Sequence, residues 1–123
     1  MLLCRGRFSR GAFIEGGADC VISLDVIEHI PQSKENKFLA AVTGNLNRNG
    51  IAFIGTPNER MYPFASPWNR TAHINNYSQE RLYELLSGYF CDVFIFGLND
   101  EVLHTGFYTF SCYIMALCCR VKN

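Results

Sequence analysis

Two short, nearly uninterrupted apolar runs, Cys20-Val21-Ile22-Ser23-Leu24 and Ile51-Ala52-Phe53-Ile54, flank a stretch whose periodicity is helical. A short apolar run without alternation is the pattern of a strand buried on both faces of a parallel sheet. Parallel neighbours cannot be joined by a tight turn, so a crossover must lie between them. The intervening residues supply one. Phe38, Leu39, Val42 and Leu46 fall at i, i+1, i+4 and i+8, and this spacing predicts a helix over 33–47 with Ser33 as its N-cap. Pro31 disfavours helix at Ile30, and Asn47-Arg48-Asn49-Gly50 reads as the stop. A strand, a crossover helix and a parallel strand place the chain in the α/β class.

The rest of the chain continues the alternation. Gly55-Thr56-Pro57-Asn58 closes the second strand, and a long loop over 59–77 follows, carrying Pro63, Pro67 and the single Trp68. Ser78 reads as the cap of a second helix that aligns Leu82, Leu85, Leu86 and Tyr89 on one face. Two strand-like runs come next, 92–96 and 107–118, joined by the polar segment 98–105 with His104 in it. No helical pattern fits between them, so they are expected to pair antiparallel. The order strand, helix, strand, helix, strand, strand describes the second half of a three-layer α/β fold, over 19–123. Residues 1–18 hold Arg5, Arg7, Arg10, Gly6, Gly11, Gly16 and Gly17 without a clear period, and read as a flank.

Composition narrows the partners. Lys+Arg and Asp+Glu number 11 each in the 123 residues, so the formal net charge is zero. That balance lacks the cation surplus a nucleic-acid backbone demands: it argues against DNA, disfavours RNA, and marks no polybasic membrane patch. Hydrophobic residues at 49% against charged residues at 18% predict a packed core. The longest apolar run, 107–119, is interrupted by Thr109 and Ser111 and falls short of the about 20 residues a membrane helix needs. Met1-Leu2-Leu3-Cys4-Arg5 has no signal-peptide apolar region. The six cysteines (Cys4, Cys20, Cys91, Cys112, Cys118, Cys119) form no C-x-x-C, and most sit in apolar runs. The expected state is buried free thiols in a reducing, cytoplasmic setting.

One constellation has chemical content. Asp25 and Glu28 are three apart and His29 is four from Asp25, so a helical turn after the first strand projects all three to one side. His73 lies in the long loop after the next strand, and parallel strands end at one sheet edge, where α/β proteins bind ligands. Two carboxylates and two imidazoles converging there form an O/N set suited to Mg2+, Mn2+ or Fe2+. A structural turn with His29 bonded to backbone is the alternative. Thr56, Pro57 and Asn58 either line an acceptor pocket or simply end the strand. Tyr62, Phe64, Trp68 and Tyr77 make the loop aromatic, as a lid over substrate or as packing.

Asp19-Cys20-Val21-Ile22-Ser23-Leu24-Asp25-Val26-Ile27-Glu28-His29-Ile30 resembles the fourth strand and following turn of class I S-adenosylmethionine-dependent methyltransferases. The resemblance continues through Leu46-Asn47-Arg48-Asn49-Gly50, Ile54-Gly55-Thr56-Pro57-Asn58, His73 with Tyr77-Ser78, and Leu82 to Phe90. It implies a Rossmann-like fold, S-adenosylmethionine as cofactor, and Ser23, Leu24 and Asp25 flanking its amino-acid end. In ubiquinone-pathway O-methyltransferases and small-RNA 2′-O-methyltransferases a similar acid-x-x-Glu-His turn supports a divalent metal near the acceptor hydroxyl. By that resemblance Asp25, Glu28, His29 and His73 are the metal set, with His29 or His73 alternatively the base, and Thr56, Pro57, Asn58 and Trp68 bordering the substrate. The first acid here is Asp, one methylene shorter than Glu.

The family's glycine-rich cofactor loop and its ribose-binding acid have no counterpart ahead of Asp19. The resemblance therefore implies the carboxyl-terminal half of an O-methyltransferase acting on a small molecule or glycan, with the amino-terminal half elsewhere. The alternative is a non-catalytic α/β module that dimerises or binds a partner through the edge exposed at residues 20–24.

Overall fold

In the computed structural model, which describes residues 2–3, 17–99, 102–104 and 110–122, the two apolar runs become parallel neighbours. The strands are β1 (Leu2–Leu3), β2 (Ala18–Leu24), β3 (Leu46–Pro57), β4 (Phe90–Asn99), β5 (Val102–His104) and β6 (Tyr113–Val121). The helices are α1 (Glu35–Gly44), α2 (Pro67–Ala72) and α3 (Gln79–Ser87). The sheet order is β1-β2-β3-β6-β4-β5, so the last strand returns to the middle and lies between β3 and β4. It pairs antiparallel with β4, as the absence of a helix between the last two runs predicted, and also antiparallel with β3. The mixed α/β class and the parallel pair with its crossover helix hold.

The core occupies one face of this sheet. Val21, Ala52, Ile54, Ile114, Ala116 and Cys118 meet Leu39 and Val42 of α1 and Leu82 and Leu86 of α3, with Ile27, Tyr77 and Phe90 completing the cluster. Each fully buried aliphatic contributes roughly 1.5–3 kcal/mol. The other face behaves differently from the expectation for β2. Cys20 and Ile22 are half-buried and Leu24 is exposed, and the row Ile22–Phe53–Leu117–Phe94 ends in a Phe94 that is 53% exposed. The buried residues of α1 and α3 belong to the same face, so β2 is enclosed on one side only.

Boundaries moved for identifiable reasons. α1 ends at Gly44, before the predicted 47, because the Ala18 N–H takes the Asn45 carbonyl at 2.7 Å and sheet pairing starts at Leu46. Gly50 is therefore in the strand. A Cβ there would lie 2.8 Å from the Ala18 carbonyl oxygen, so the close approach, not a helix stop, requires glycine. Ser33 is not a cap: Gln32–Lys34 form a 3-10 turn, and α1 starts without a side-chain cap. Ser78 does cap α3, accepting from the Arg81 N–H at 3.1 Å.

Two segments read as irregular contain structure. Glu59–Phe64 is a 3-10 helix capped by Asn58, and Ser66 caps α2 with Pro67 at its first turn. The flank contributes β1, whose Leu2 and Leu3 pair antiparallel with Ser23 and Ile22 and occupy part of the β2 edge that was expected to be open. The polar connection likewise carries β5, paired with the end of β4.

The described cysteines are free, but burial is not general: Cys118 is buried, Cys20 and Cys119 are half-buried, and Cys91 and Cys112 are exposed. Alternation decides this, since neighbours such as Cys118 and Cys119 point to opposite sheet faces. Cys4 lies outside the described residues. Among these residues, no helix is long and apolar enough to cross a membrane.

Candidate functional site

The carboxyl edge of the β2–β3 pair builds the site. At the end of β2, Asp25 has φ +54°, a left-handed conformation that Asp tolerates better than most residues, and its N–H donates to the Gly55 carbonyl at 3.1 Å. The chain then turns through the 3-10 helix Ile27–His29, anchored by the fully buried Ile27. This turn sends Glu28 inward and leaves His29 near solvent.

Glu28 is buried, with only 1% of its surface exposed. One carboxylate oxygen, Oε2, accepts from the Thr56 hydroxyl at 3.2 Å, while Oε1 has no hydrogen-bond partner among the described residues. Burial raises its pKa above the ordinary carboxylate range and the Asp25 charge adds to this, against the lowering by its backbone hydrogen bond, His29 and Thr56. A buried, half-satisfied carboxylate is costly unless a positive charge answers it.

The nearest groups are imidazoles. His29 Nε2 lies 3.9 Å from Glu28 Oε1, too far for a hydrogen bond. Its Nδ1 is 2.9 Å from the Ala72 carbonyl oxygen, which can only accept, so Nδ1 donates, and in the neutral form of the ring the lone pair is on Nε2. The His73 ring packs edge-on against it, with centroids 4.9 Å apart and planes at 74°. One ligand atom from each of Glu28, His29 and His73 lies within 4.8 Å of the others. Asp25 does not join this group. The three-donor O/N set, an orphaned buried carboxylate oxygen and a backbone carbonyl fixing the histidine tautomer together fit a divalent cation.

His73 also lines a cavity of about 230 Å3, with Pro57, Asn58, Met61, Tyr62, Phe64, Ala65, Asn69 and Asn76. Of the expected substrate residues, Pro57 and Asn58 lie on this wall. Thr56 stands behind it, fully buried against Glu28. Trp68 is 80% exposed and off the wall. Asn58 is a builder as well as a lining residue: its amide donates to the Ser111 carbonyl at 2.9 Å and its oxygen accepts from the Arg60 N–H. Met61, Asn69 and Asn76 were missed. The Ser66-Pro67 pair, a cap followed by a first-turn proline, was the available signal that this loop folds into helices.

Of the residues expected beside a cofactor, Ser23 is buried with an unpartnered hydroxyl, and Leu24 and Asp25 are exposed at the strand end. Opposite them, a Cβ on Gly55 would lie 2.6 Å from the Tyr113 ring and 2.7 Å from the Leu24 side chain, so a larger residue here requires both side chains to shift.

Solved structures share this architecture. A SAM-dependent methyltransferase from Archaeoglobus fulgidus matches at 14% identity and TM-score 0.63, over 88% of this chain and 62% of that one. A SAM-dependent methyltransferase of Thermotoga maritima, described as a possible histamine N-methyltransferase, matches at 12% identity and TM-score 0.66, over 87% and 57%. The chain has the fold of SAM-dependent methyltransferases. The methyltransferase domain of bacterial CtHen1-C is also similar, at 16% identity and TM-score 0.58, over 86% of this chain and 54% of that domain. The chain thus spans less than two thirds of the length of these neighbours. No family model matches the sequence, and no curated protein matches it.

Proposed function

We propose that this chain is the acceptor-binding part of an S-adenosylmethionine-dependent O-methyltransferase, acting on a small molecule or a glycan unit. The observation that carries the reading is the shared position of His73, which lines the cavity and belongs to the Glu28–His29–His73 donor set. Ser23, Leu24 and Asp25 are the residues proposed to border the cofactor, which supplies a methyl group on a sulfonium. Glu28, His29 and His73 would hold a divalent cation such as Mg2+, which when bound lowers the pKa of a hydroxyl beside it.

The residues themselves do the positioning. Ala72 fixes the His29 tautomer, and Thr56 orients the Glu28 carboxylate. In the alternative without a cation, the His73 lone pair would be free to take the proton of a hydroxyl in the cavity. Met61, Tyr62 and Phe64 offer an acceptor ring an apolar wall, of which Phe64 is 80% exposed. Among the described residues no Lys, Arg, Asp or Glu lines the cavity, so the proposed cation would be the charge an anionic acceptor group meets there. The about 230 Å3 available suits one ring with its substituents.

The test combines two measurements. Mn2+ binding by electron paramagnetic resonance is expected in the wild-type chain and lost in Glu28→Ala. In a preparation that also supplies the cofactor-binding half, methyl transfer from radiolabelled S-adenosylmethionine to catechol or a methyl glycoside is expected to stop when EDTA is added. Transfer that survives EDTA overturns the cation's role.

The sheet face supports a second reading, a non-catalytic module that pairs with a second copy of itself. The half-exposed row Ile22–Phe53–Leu117–Phe94 favours it. Analytical ultracentrifugation decides: a stable dimer without S-adenosylhomocysteine binding supports the module, and a monomer that binds it removes this reading.

A further inference from the structure

Sequence distance separates the two halves of the donor set, and something must hold them in register. His73 follows α2, whereas Glu28 and His29 sit on the turn after β2. Asn75 is the bridge. Its backbone N–H donates to the Glu28 carbonyl at 3.0 Å, and its side-chain amide donates to the Ile30 carbonyl at 3.0 Å. One residue therefore grips both ends of the Glu28–His29 turn, two positions from His73.

Asn75 is in turn held by a carboxylate. Glu35, the first residue of α1, is 7% exposed, and its Oε1 lies 2.7 Å from the Asn75 amide nitrogen. The same oxygen accepts from the Tyr77 hydroxyl and from Arg81 Nη2 of α3. Arg81 also donates through Nη1 to the Asn76 carbonyl at 2.7 Å, and its guanidinium lies over the Tyr77 ring, 4.2 Å from the centroid. Asn75, Asn76 and Tyr77 are thus fixed to α1 and α3 through one buried anion. Its charge is answered by Arg81.

We infer that Glu35 is a positioning residue that sets the distance between His73 and the Glu28–His29 turn. The inference rests on the proposed role of those three residues. Apolar packing could anchor the start of α1 at least as stably as a buried ion pair. What packing cannot do is fix direction, and three convergent donors on one oxygen do so. α1 has no side-chain cap because its N-cap residue is Lys34, whose ammonium donates and cannot accept from the first helical N–H groups.

Two variants test it, Glu35→Gln, which keeps the shape and removes the charge, and Tyr77→Phe, which removes one donor. The first readout is the nuclear Overhauser contact between the His29 and His73 rings. The second is Mn2+ affinity by electron paramagnetic resonance, and the third is amide-exchange protection of β3 and β6. Glu35→Gln is expected to lose the ring contact and weaken Mn2+ binding about tenfold, in the range for groups that orient metal ligands. Tyr77→Phe is expected to act in the same direction by a smaller factor, with sheet protection unchanged in both. If Glu35→Gln fails to fold, Tyr77→Phe decides. Retention of ring contact and affinity in a folded variant overturns the inference and leaves Glu35 a helix anchor. A wild-type chain that takes no Mn2+ defeats the proposed cation site, while the ring contact still tests the positioning.

Discussion

His29 Nδ1 and the Ala72 carbonyl oxygen, 2.9 Å apart, together decide which nitrogen of the imidazole faces Glu28. The carbonyl cannot donate, so the proton resides on Nδ1 and the lone pair on Nε2. Long-range 15N correlation spectra above the imidazole pKa are expected to show His29 as the Nδ1–H tautomer. A dominant Nε2–H form would contradict the donor set proposed here.

Glu28→Gln is expected to separate stability from ligand binding. When ionised, the Glu28 carboxylate is a buried charge with Oε1 unpartnered among the described residues, whereas an amide keeps the Thr56 bond through its oxygen and turns a donor toward His29 Nε2. Removing an unanswered charge should raise the midpoint of thermal unfolding at neutral pH by about 3 °C or more. Millimolar Mn2+ should raise the midpoint of the wild type and leave the variant unmoved, since a ligand stabilises only the state that binds it. A thermal scan with and without the ion checks both.

Gly55→Ala should be costly for a residue in a strand. The added Cβ would stand 2.6 Å from the Tyr113 ring and 2.7 Å from Leu24; the exposed Leu24 side chain can swing away, so the cost is set by how far the Tyr113 ring must shift. Overpacking of this kind costs about 1–3 kcal/mol. Urea denaturation should register it as a lower midpoint with an unchanged slope. A variant as stable as the wild type would mean that Tyr113 moves freely.

The thiols should react in the order their exposure dictates. Cys91 and Cys112 are exposed, whereas Cys118 is buried and its pKa is pushed up to about 12, chiefly by burial and then by Cys119. At pH 8 essentially no Cys118 is thiolate, and the thiolate is the nucleophile. Iodoacetamide at that pH, followed by peptide mass mapping, should label Cys91 and Cys112 first. Cys118 should be labelled only after denaturant is added.

The parallel β2–β3 pair with its crossover was legible because apolar runs such as Val21-Ile22 and Ile51-Ala52 are local patterns. The second helix was equally legible, since Ser78 caps it through its own Oγ and Leu82 and Leu86 fall one turn apart on its buried face. The residue types that meet at this edge were legible, but the i, i+3, i+4 spacing misled: Glu28 turns inward, His29 faces solvent, and Asp25 stands apart from them. Less visible were features set by distant contacts. Whether residues 46–50 extend a helix or begin a strand depended on Ala18 reaching the Asn45 carbonyl. Whether β2 was enclosed on both faces depended on where α1 and α3 settled.

By itself the sequence determined the α/β alternation and the residue types gathered at one sheet edge, because side-chain periodicity and strand direction are local properties. Only the tertiary structure decided which of them meet. It separated Asp25 from the Glu28–His29–His73 group, moved Thr56 from the pocket wall to the support of Glu28, and left Trp68 in solvent. The physical reason is that these outcomes depend on hydrogen bonds closing over large sequence separations. Glu35 to Arg81 and Asn75 to Glu28 are two such bonds, and no spacing rule encodes them.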